Sequence, residues 1–549
     1  MKRLIMVLAL LGSWQMNAEA QYVSDVWVSD QSDGTYVNPV LHADYSDPDV
    51  CAVGDDFYMT ASSFQCTPGL PILHSKDLVN WQLVNYALKE VEPKDFYRKP
   101  QHGKGVWAPC IRYHNGEFYI YWGDPDWGIF MVKTKDPKGE WEKPVLVKAG
   151  RGMIDPSPLW DEDGKVYLAH AWAGSRAGFN SIITICEMNA EGTQVIGEPV
   201  LVFDGNDGVN HTVEGAKFYK NNGYYYILAP AGGVVEGWQI ALRSKHVYGP
   251  YESKIVMAQG STDINGPHQG GWVKTRSGES WFVHFQDKGA YGRVIHLNPV
   301  EWKDNWPVIG TDKDGDGCGE PVKRHRKPDV GRNWPVQTPV ESDEFDSHKL
   351  GLQWEWHANY QDCFGFTSDL GYMRIYSHIL SEHFVNCWEV PNLLLQKFPA
   401  EEFTVTTKLK VSAKDDGQQS GLIVMGWDYC RIGVEKQGEA FVLKQTVCKD
   451  AEQGTPETVV TLAEVPVSRK FEAGLHPNYE RDIFLRVQVG KGAVCRFYYS
   501  LDGKKFMQAG APFTARQGKW IGAKVGLFSV TPYGKERGWV DVDWFRVSK

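Results

Sequence analysis

The sequence predicts an all-β protein in which a five-bladed β-propeller is followed by a β-sandwich. Three features support this prediction: a surplus of aromatic residues, five similar short runs within residues 35–325, and longer alternating runs beyond residue 341. The 549 residues include 22 Trp, 25 Tyr, 24 Phe and 56 Gly. A chain of this length exceeds one ordinary domain. Its aromatic content excludes a disordered protein and a coiled coil.

The first 20 residues have the pattern of a secretory signal peptide. Lys2 and Arg3 precede a short apolar run at 4–11, and Ala18-Glu19-Ala20 matches a cleavage site with small residues. The apolar run is too short to cross a bilayer, and no later stretch predicts a membrane span. The sequence therefore predicts cleavage before Gln21 and export, to the periplasm or the medium.

The propeller prediction rests on a repeat. Five β-like runs each follow a glycine and end in an aromatic residue, and these final aromatics are 48 to 61 residues apart: 54–58, 116–119, 164–167, 223–226 and 278–281. A second motif, at 74–77, 133–136 and 243–246, precedes Trp81, Trp141 and Tyr251. Repeats near 50 residues with several short strands are typical of propeller blades, whereas a β-sandwich gives no such period. Five repeats predict five blades over residues 35–325.

The pattern changes after the repeats. Residues 323–337 are basic, contain proline and lack periodicity, which predicts a linker over 326–340. Beyond it, four runs alternate with a period of two: 403–411, 421–425, 482–489 and 539–547. Such strands separated by turns predict a β-sandwich over 341–549.

Cysteine and charge content narrow the function further. None of the ten cysteines forms a CxxC pair, so a structural zinc site has little support. Export would allow the disulfides Cys51–Cys66 or Cys363–Cys387, and free buried thiols fit a chain of this size equally well. The net charge of −10 and the absence of a basic run argue against nucleic acid as a partner.

Three carboxylates lie near the start of different predicted blades. Asp47, Asp155 and Glu214 begin the first, third and fourth blades, each within an apolar, turn-like context. Each one alone is compatible with a solvated turn. Their corresponding positions instead favour a shared site, because inner strands converge at the propeller axis and a lone buried carboxylate is costly.

Several motifs resemble glycoside hydrolase family 43, of the β-xylosidase and α-L-arabinofuranosidase type. They are 38–50, 53–58, 62–64, 68–71, 74–81 and 105–109, and together they cover most of 38–325 in the order of that family. Residues 344–359 resemble the opening of the C-terminal sandwich of its xylosidase-like members, a concanavalin-like jelly roll. The resemblance also implies a five-bladed propeller, in agreement with the repeat count.

The resemblance implies that Asp47 is the general base, Glu214 the general acid, and Asp155 the group that orients and tunes the acid. Inverting hydrolysis uses one carboxylate to activate water and one carboxylic acid to protonate the leaving oxygen, about 6.5–9.5 Å apart. The family pattern differs at Ser46 and at Ala216-Lys217, close to two of these groups. These differences leave the reaction type intact and affect the expected substrate preference.

Four further positions follow from the resemblance. Phe64 and Trp107 resemble aromatic walls of a sugar pocket, with core aromatics as the alternative. Arg293 resembles an arginine that hydrogen-bonds sugar hydroxyls, with a surface salt bridge as the alternative. His268 matches a central histidine that faces a hydrated calcium ion or ordered water, with a structural role as the alternative.

The resulting prediction is an exo-acting, inverting glycosidase that releases a terminal pentose, β-D-xylose or α-L-arabinofuranose. Its partner would be an oligosaccharide or polysaccharide of hemicellulose, such as xylan or arabinoxylan. The chemistry requires no cofactor, and a structural Ca²⁺ is compatible with it. Two alternatives stay open: a non-catalytic carbohydrate-binding propeller, and an endo-acting arabinan or xylan hydrolase of the same family.

Two further segments resemble known motifs only in part. Retaining propeller enzymes that act on fructosides need Asn-Asp-Pro-Asn and Glu-Cys, which residues 46–49 and 214–215 do not match. Residues 312–320 begin like a calcium loop, but the twelfth position is Lys323 rather than Glu. An Asp/Gly hairpin turn is the favoured interpretation of this segment.

Overall fold

The computed structural model describes residues 21–206, 208–473 and 476–549. The predicted signal peptide lies outside these residues. Strands dominate the described chain; its helices are two four-residue turns, α1 (Gly174–Ala177) and α2 (Gly233–Glu236), and the 3₁₀ turns Phe96–Arg98, Gly289–Tyr291, Cys387–Glu389, Ala451–Gln453 and Lys491–Ala493. No helix in this part of the chain has the length and apolar character needed to cross a membrane.

After β1 (Thr35–Val37), five antiparallel sheets of four consecutive strands form the propeller. Blade 1 is β2–β5 (Asp49–Val53, Asp56–Thr60, Gly69–Ser75, Trp81–Leu88), and blade 2 is β6–β9 (Trp107–His114, Glu117–Asp124, Gly128–Thr134, Val145–Ala149). Blade 3 is β10–β13 (Met153–Trp160, Val166–Trp172, Ile182–Met188, Val200–Asp204). Blade 4 is β14–β17 (Lys217–Asn221, Tyr224–Ala231, Trp238–Ser244, Glu252–Met257), and blade 5 is β18–β21 (His268–Lys274, Ser280–Asp287, Arg293–Lys303, Trp306–Ile309).

The first strands of the blades surround the centre of the propeller. Strands β2, β6, β10 and β14 contact one another in that order, and β18 of blade 5 closes the ring by contacting β2. The five-bladed prediction is confirmed, and strand starts that are distant in sequence meet at the axis.

Each predicted glycine turn lies in the hairpin between the first and second strands of a blade. The five glycines have φ values between 64° and 91°, a region that L side chains rarely adopt. A Cβ built on any of them would meet nothing within 4 Å. Backbone conformation, rather than crowding, therefore explains why glycine recurs in these turns.

The segments that flank the propeller are fixed to it. Strand β22 (Arg324–Arg326) pairs antiparallel with β1, and residues 327–340, which form no strand, lie against the N-terminal segment. Thr338 accepts a hydrogen bond from the backbone of Ser24 (2.8 Å), and the side chain of Ser24 donates to Glu341 (2.8 Å). The predicted linker is thus an ordered strap along residues 21–34.

The C-terminal part is a sandwich of two sheets. One has the order β23-β27-β38-β29-β30-β31-β32, with β26 beside β38, and the other has the order β24-β25-β39-β28-β34-β35-β36, with β33 beside β34 and β37 beside β35. In chain order, β23–β30 are Glu355–Trp356, Gly365–Ser368, Tyr372–Tyr376, His378–Ile379, Leu394–Lys397, Phe403–Ala413, Gln419–Met425 and Tyr429–Gln437. Strands β31–β39 are Ala440–Cys448, Thr458–Val465, Arg469–Ala473, His476–Gly490, Val494–Ser500, Met507–Gln508, Phe513–Thr514, Lys524–Thr531 and Trp539–Ser548. The four alternating runs of the sequence lie in β28, β29, β34 and β39, and the inward-facing half of β28 belongs to the sandwich core.

Buried polar contacts join the two domains on the side where the blades begin. Lys524 of the sandwich is buried; its Nζ lies 3.2 Å from Sγ of Cys66 in the propeller and forms an ion pair with Glu355. The Asp44 carboxylate accepts hydrogen bonds from the backbone N–H groups of Arg293 and Gly522 (both 2.9 Å). The contacts that cross the interface are Lys524 with Cys66 and the Gly522 N–H with Asp44; because a buried polar group that loses its partner is costly, they fix the position of the sandwich.

All ten cysteines lie among the described residues, and all are free thiols. Neither Cys51–Cys66 nor Cys363–Cys387 is bridged, so the free-thiol alternative is the one that the structure adopts. Two cores of this size do not depend on covalent cross-links for stability.

Candidate active site

A residue in the left-handed region lies within two positions of the start of the first strand of every blade. The five are Asp47 (φ 54°), Ala108 (20°), Asp155 (56°), Gly215 (65°) and Gln269 (28°). For a non-glycine residue this conformation costs about 1–3 kcal/mol, and such strain concentrates at functional sites. Register shifts accompany it in β6, β10 and β18, and bulges of this kind re-aim side chains. Two of the five positions hold predicted catalytic carboxylates, and Glu214 precedes a third.

Asp47 is buried, with 6% of its surface exposed. Its Oδ2 accepts hydrogen bonds from the hydroxyls of Ser62 (2.6 Å) and Ser46 (2.7 Å). Its Oδ1 accepts one from Nη1 of Arg293 (2.9 Å). Ser46, where the sequence departs from the family pattern, is therefore a direct partner of the carboxylate, and three donors fix the orientation of Asp47.

Asp155 and Glu214 form an unequal pair. Asp155 is almost fully buried, and its Oδ2 accepts a hydrogen bond from the backbone N–H of Gly215 (2.7 Å). Burial first, and the neighbouring Glu214 second, raise the pKa of Asp155 to about 7, against the opposing effects of the Gly215 N–H and Lys217. The Glu214 side chain is 38% exposed. The nearby Glu214 thus favours the protonated form of Asp155.

His268 lies beside Glu214. Its Nε2 is 3.3 Å from Oε1 of Glu214, while its Nδ1 is buried and has no hydrogen-bond partner among the described residues. One imidazole nitrogen is thus free to bind a water molecule or a hydrated ion. This arrangement suits the predicted position of a central histidine.

Arg293 is 7% exposed, so the alternative of a surface salt bridge is wrong. Its Nη1 donates to both Asp47 and Oγ of Ser46 (2.7 Å), and its guanidinium lies 4.7 Å from the centre of the Phe285 ring. The Nε atom, 3.8 Å from a carboxylate oxygen of Asp287, makes no hydrogen bond within the described chain. Arg293 therefore combines a fixed partner with unused donor capacity beside Asp47.

Phe64 and Trp107 lie together on this face of the propeller. Their ring centres are 6.5 Å apart at an interplanar angle of 68°, and Nε1 of Trp107 donates to the carbonyl of Gly103 (2.9 Å). Phe64 is fully enclosed, whereas Trp107 is partly exposed. Arg176 of α1, which pairs with Asp126 (3.2 Å), places its guanidinium 5.5 Å from the Trp107 ring.

Sequence reasoning missed Trp520, which belongs to the sandwich. Its ring centre lies 6.3 Å from that of Trp107 and 5.7 Å from the guanidinium carbon of Arg293. The residue is 45% exposed and has a φ of 63°. The second domain therefore contributes an aromatic side chain to the predicted sugar site. The sequence gives no sign of this contact beyond the presence of a tryptophan, because the site is assembled across the domain interface.

Comparison with known proteins identifies the family. The pattern described as "Glycosyl hydrolases family 43" matches residues 36–307, and the "Beta xylosidase C-terminal Concanavalin A-like domain" matches residues 342–548. A protein from Xylanibacter ruminicola is 36% identical over 503 residues, covering 91% of this chain and 87% of its own. The chain belongs to glycosyl hydrolase family 43. It is accordingly a glycosidase, and the sequence-based resemblance is confirmed.

Other members of glycosyl hydrolase family 43 are similar along the whole chain. A β-xylosidase from Formosa agariphila is 33% identical over 566 residues, covering 94% of this chain and 90% of that protein. A non-reducing end α-L-arabinofuranosidase from Bacteroides ovatus is 29% identical over 506 residues, covering 85% and 88%. The crystal structure of a family 43 protein from Bacillus licheniformis superimposes with a TM-score of 0.77 at 28% identity, covering 94% of this chain and 99% of its own.

Among the described residues, one cluster of carboxylates has metal-ligand spacing. Oxygen atoms of Asp312, Asp314 and Asp316 lie within 4.8 Å of one another. Asp312 also accepts backbone hydrogen bonds from Gly315 (2.8 Å) and Gly317 (3.2 Å), which is the geometry of a tight turn. The backbone of this segment is thus consistent with the favoured interpretation as a hairpin turn. The cluster is remote in sequence from His268.

Proposed function

We propose that this family 43 member is an exo-acting, inverting glycosidase that removes a terminal pentose, xylose or arabinose, from hemicellulose oligosaccharides. One observation carries the proposal: Asp155 interacts electrostatically with both Glu214 and Asp47, so carboxyl groups from three blades lie together, and Asp47 pairs with Arg293, which lies beside Trp520. Similar proteins named β-xylosidase and α-L-arabinofuranosidase support the choice of a pentose.

Asp47 is the proposed general base. It would accept a proton from water as the water oxygen attacks the anomeric carbon. The hydrogen bonds from Ser46, Ser62 and Arg293 support this role, because they hold the carboxylate in one orientation, and a positioned base contributes about 10²–10⁴-fold to a rate.

Glu214 is the proposed general acid, and Asp155 its positioning partner. As the bond from the anomeric carbon to the leaving oxygen breaks, Glu214 would transfer its proton to that oxygen, and the sugar would be released with inverted configuration. The open position of Glu214 supports direct contact with the substrate. The buried Asp155, held by the backbone of Gly215, supports an indirect role.

The position of Trp520 supports exo action. A side chain from the second domain beside Trp107 narrows one side of the site, which favours a chain end over the middle of a polymer. The proposal also includes export of the protein and binding of water or hydrated calcium at His268. Neither takes part in the proton transfers.

A side-by-side assay on aryl β-D-xyloside and aryl α-L-arabinofuranoside tests the proposal. The purified enzyme should release free pentose from at least one, and Glu214→Gln should release far less from the same substrate. Absence of release from both substrates would contradict the proposal and favour the non-catalytic alternative. Release of internal fragments from arabinan or xylan, without monosaccharide, would favour the endo-acting alternative.

A further inference from the structure

A groove between the propeller and the sandwich lies beside the candidate active site. It has a volume of about 1020 Å³ and is open to solvent. Residues 95–104, which lead from blade 1 to blade 2, form one wall, and residues 378–391 of the sandwich form the other. None of the proposed catalytic groups lines it.

Trp388 forms a rigid platform in this groove. Its ring stacks on His102, with ring centres 3.5 Å apart and an interplanar angle of 12°. The backbone carbonyl of Trp388 accepts a hydrogen bond from Nε2 of His102 (2.8 Å), and Asn386 accepts one from the backbone N–H of Trp388 (2.9 Å). The indole is therefore held by contacts from both domains.

The polar groups around the platform have unused hydrogen-bonding capacity. Burial lowers the pKa of His102 well below its ordinary value, so its ring is neutral and Nδ1 is an acceptor. In the described chain, neither this Nδ1 nor Nε1 of Trp388 has a hydrogen-bond partner. Lys99, Lys104 and Glu389 also line the groove, and none of them forms an ion pair with another described residue.

These groups match the chemistry of a sugar. A pyranose or furanose ring has an apolar C–H face, which packs on a flat aromatic ring, and an edge of hydroxyl groups that donate and accept. Binding sites combine aromatic surface with a few convergent polar groups in this way. The mixed signs of the free charges favour a neutral ligand over a strongly anionic one.

The groove is continuous with the active-site wall. Gly103, whose carbonyl binds Nε1 of Trp107, is flanked by His102 and Lys104 of the groove. A Cβ on Gly103 would lie 2.4 Å from Cγ of Lys519. Lys519 in turn pairs with Glu452 of the groove (3.1 Å) and precedes Trp520. Gly103 and Lys519, which lie against each other across the domain interface, thus connect the groove to Trp107 and Trp520 of the candidate site.

We propose that this groove binds the part of a hemicellulose chain that continues beyond the scissile bond, with a sugar stacked on Trp388. The inference rests on the proposed function, because it assigns the groove to the leaving-group side of the substrate. It predicts that efficiency rises with chain length, and that Trp388 accounts for much of the increase.

The test compares kcat/KM for an aryl glycoside and for a disaccharide and a hexasaccharide of the preferred pentose. Trp388→Ala should lower kcat/KM for the hexasaccharide about tenfold, or about 1.4 kcal/mol, with little change for the aryl glycoside. Trp388→Leu, which retains apolar bulk beside His102, should show the same selective loss. Trp334→Ala is the matched control, because Trp334 is also half-buried and stacks on one side chain, that of Arg332, outside the groove.

Failure of the inference and failure of the proposed function give different results. If wild type cleaves the aryl glycoside but both Trp388 variants match Trp334→Ala on the hexasaccharide, the groove proposal is overturned. Calorimetry of the hexasaccharide with Glu214→Gln, with and without Trp388→Ala, measures binding without turnover. Equal affinities would also overturn it, whereas loss of affinity would support it even if no aryl glycoside is cleaved. A dimer that Trp388→Ala dissociates, with unchanged sugar binding, would assign the groove to a second copy of the chain.

Discussion

Replacing Asp155 by Asn should change activity and stability in opposite directions. The substitution removes the charge and keeps an oxygen that can accept the hydrogen bond from Gly215. A pKa raised from the ordinary 3.8 to about 7 means that the folded state holds a proton more tightly than the unfolded chain. Stability conferred by the protonated carboxyl is therefore lost as pH rises from about 4 to about 7, and it stays lost above that range.

The magnitude follows from the same pKa. A rise from 3.8 to about 7 corresponds to a loss of folding free energy above pH 7 on the order of 4 kcal/mol at most. Asp155→Asn should therefore be more stable than wild type at about pH 8, and the difference should shrink towards about pH 5. If Asp155 positions the acid, kcat of Asp155→Asn should be about 100-fold lower than that of wild type, which corresponds to an activation barrier about 2.7 kcal/mol higher.

Urea unfolding of both proteins across this pH range, together with steady-state kinetics on the aryl substrate, provides the assay. Asp161→Asn is the control in the same blade. Burial raises the pKa of Asp161, but hydrogen bonds from Lys220 and Tyr225 outweigh it, and the net pKa is lowered. Asp161→Asn should therefore lose stability at neutral pH and keep its activity. A stability difference for Asp155→Asn that does not grow with pH, or unchanged kcat, would refute the reasoning.

Three further predictions concern the other groups of the site. Glu214→Gln should lower kcat about 10²–10⁴-fold for substrates with poor leaving groups. The loss should be much smaller for dinitrophenyl glycosides, because dinitrophenolate leaves without being protonated. Equal losses on both kinds of substrate would contradict the role of Glu214 as acid. Arg293→Met leaves the buried Asp47 without its ion pair, so the free energy of unfolding measured in urea should fall by about 3 kcal/mol or more. The KM should also rise, and an unchanged free energy of unfolding would contradict the pairing. Trp520→Ala should raise KM for the aryl substrate about tenfold, or about 1.4 kcal/mol, while calorimetric unfolding of the sandwich stays the same; an unaltered KM would exclude Trp520 from the sugar site.

The propeller was predictable because its signals are local. The five glycine turns recur at a regular spacing, and each reflects a backbone conformation that glycine adopts easily. Alternation likewise predicted β28 of the sandwich, because one face of that strand is buried and the other is partly exposed. The run in β29 is buried on both faces, and its β-branched residues rather than alternation mark it as a strand. The order of strands within the two sheets depends on contacts that are distant in sequence, and no local pattern expresses them.

The site was predictable in part. The starts of the blades indicated Asp47, Asp155 and Glu214, and the resemblance to a family added Arg293 and Trp107. Nothing local indicated that Arg293 would bind both Ser46 and Asp47, because these contacts need blades 1 and 5 to meet at the axis. Trp520 was missed for the same physical reason, since its partners lie in the other domain.

The cysteines show where sequence reasoning leaves a choice that only packing resolves. Export would allow disulfides, and the pairs considered were Cys51–Cys66 and Cys363–Cys387. In the structure Cys66 lies instead against Lys524, and Cys387 donates a hydrogen bond to Glu457 (3.5 Å). Each of these two thiols contacts a polar side chain, and neither is bonded to another sulfur.

The stereochemistry of the first product tests the central claim most directly. Proton NMR during hydrolysis of an aryl β-D-xyloside, or of the α-L-arabinofuranoside if that is preferred, identifies the anomer that forms before mutarotation. The assignment of Asp47 as a base acting on water predicts the inverted anomer, α-xylose or β-arabinofuranose, as the first product. First formation of the retained anomer would show that a carboxylate attacks the sugar itself, and it would contradict the mechanism.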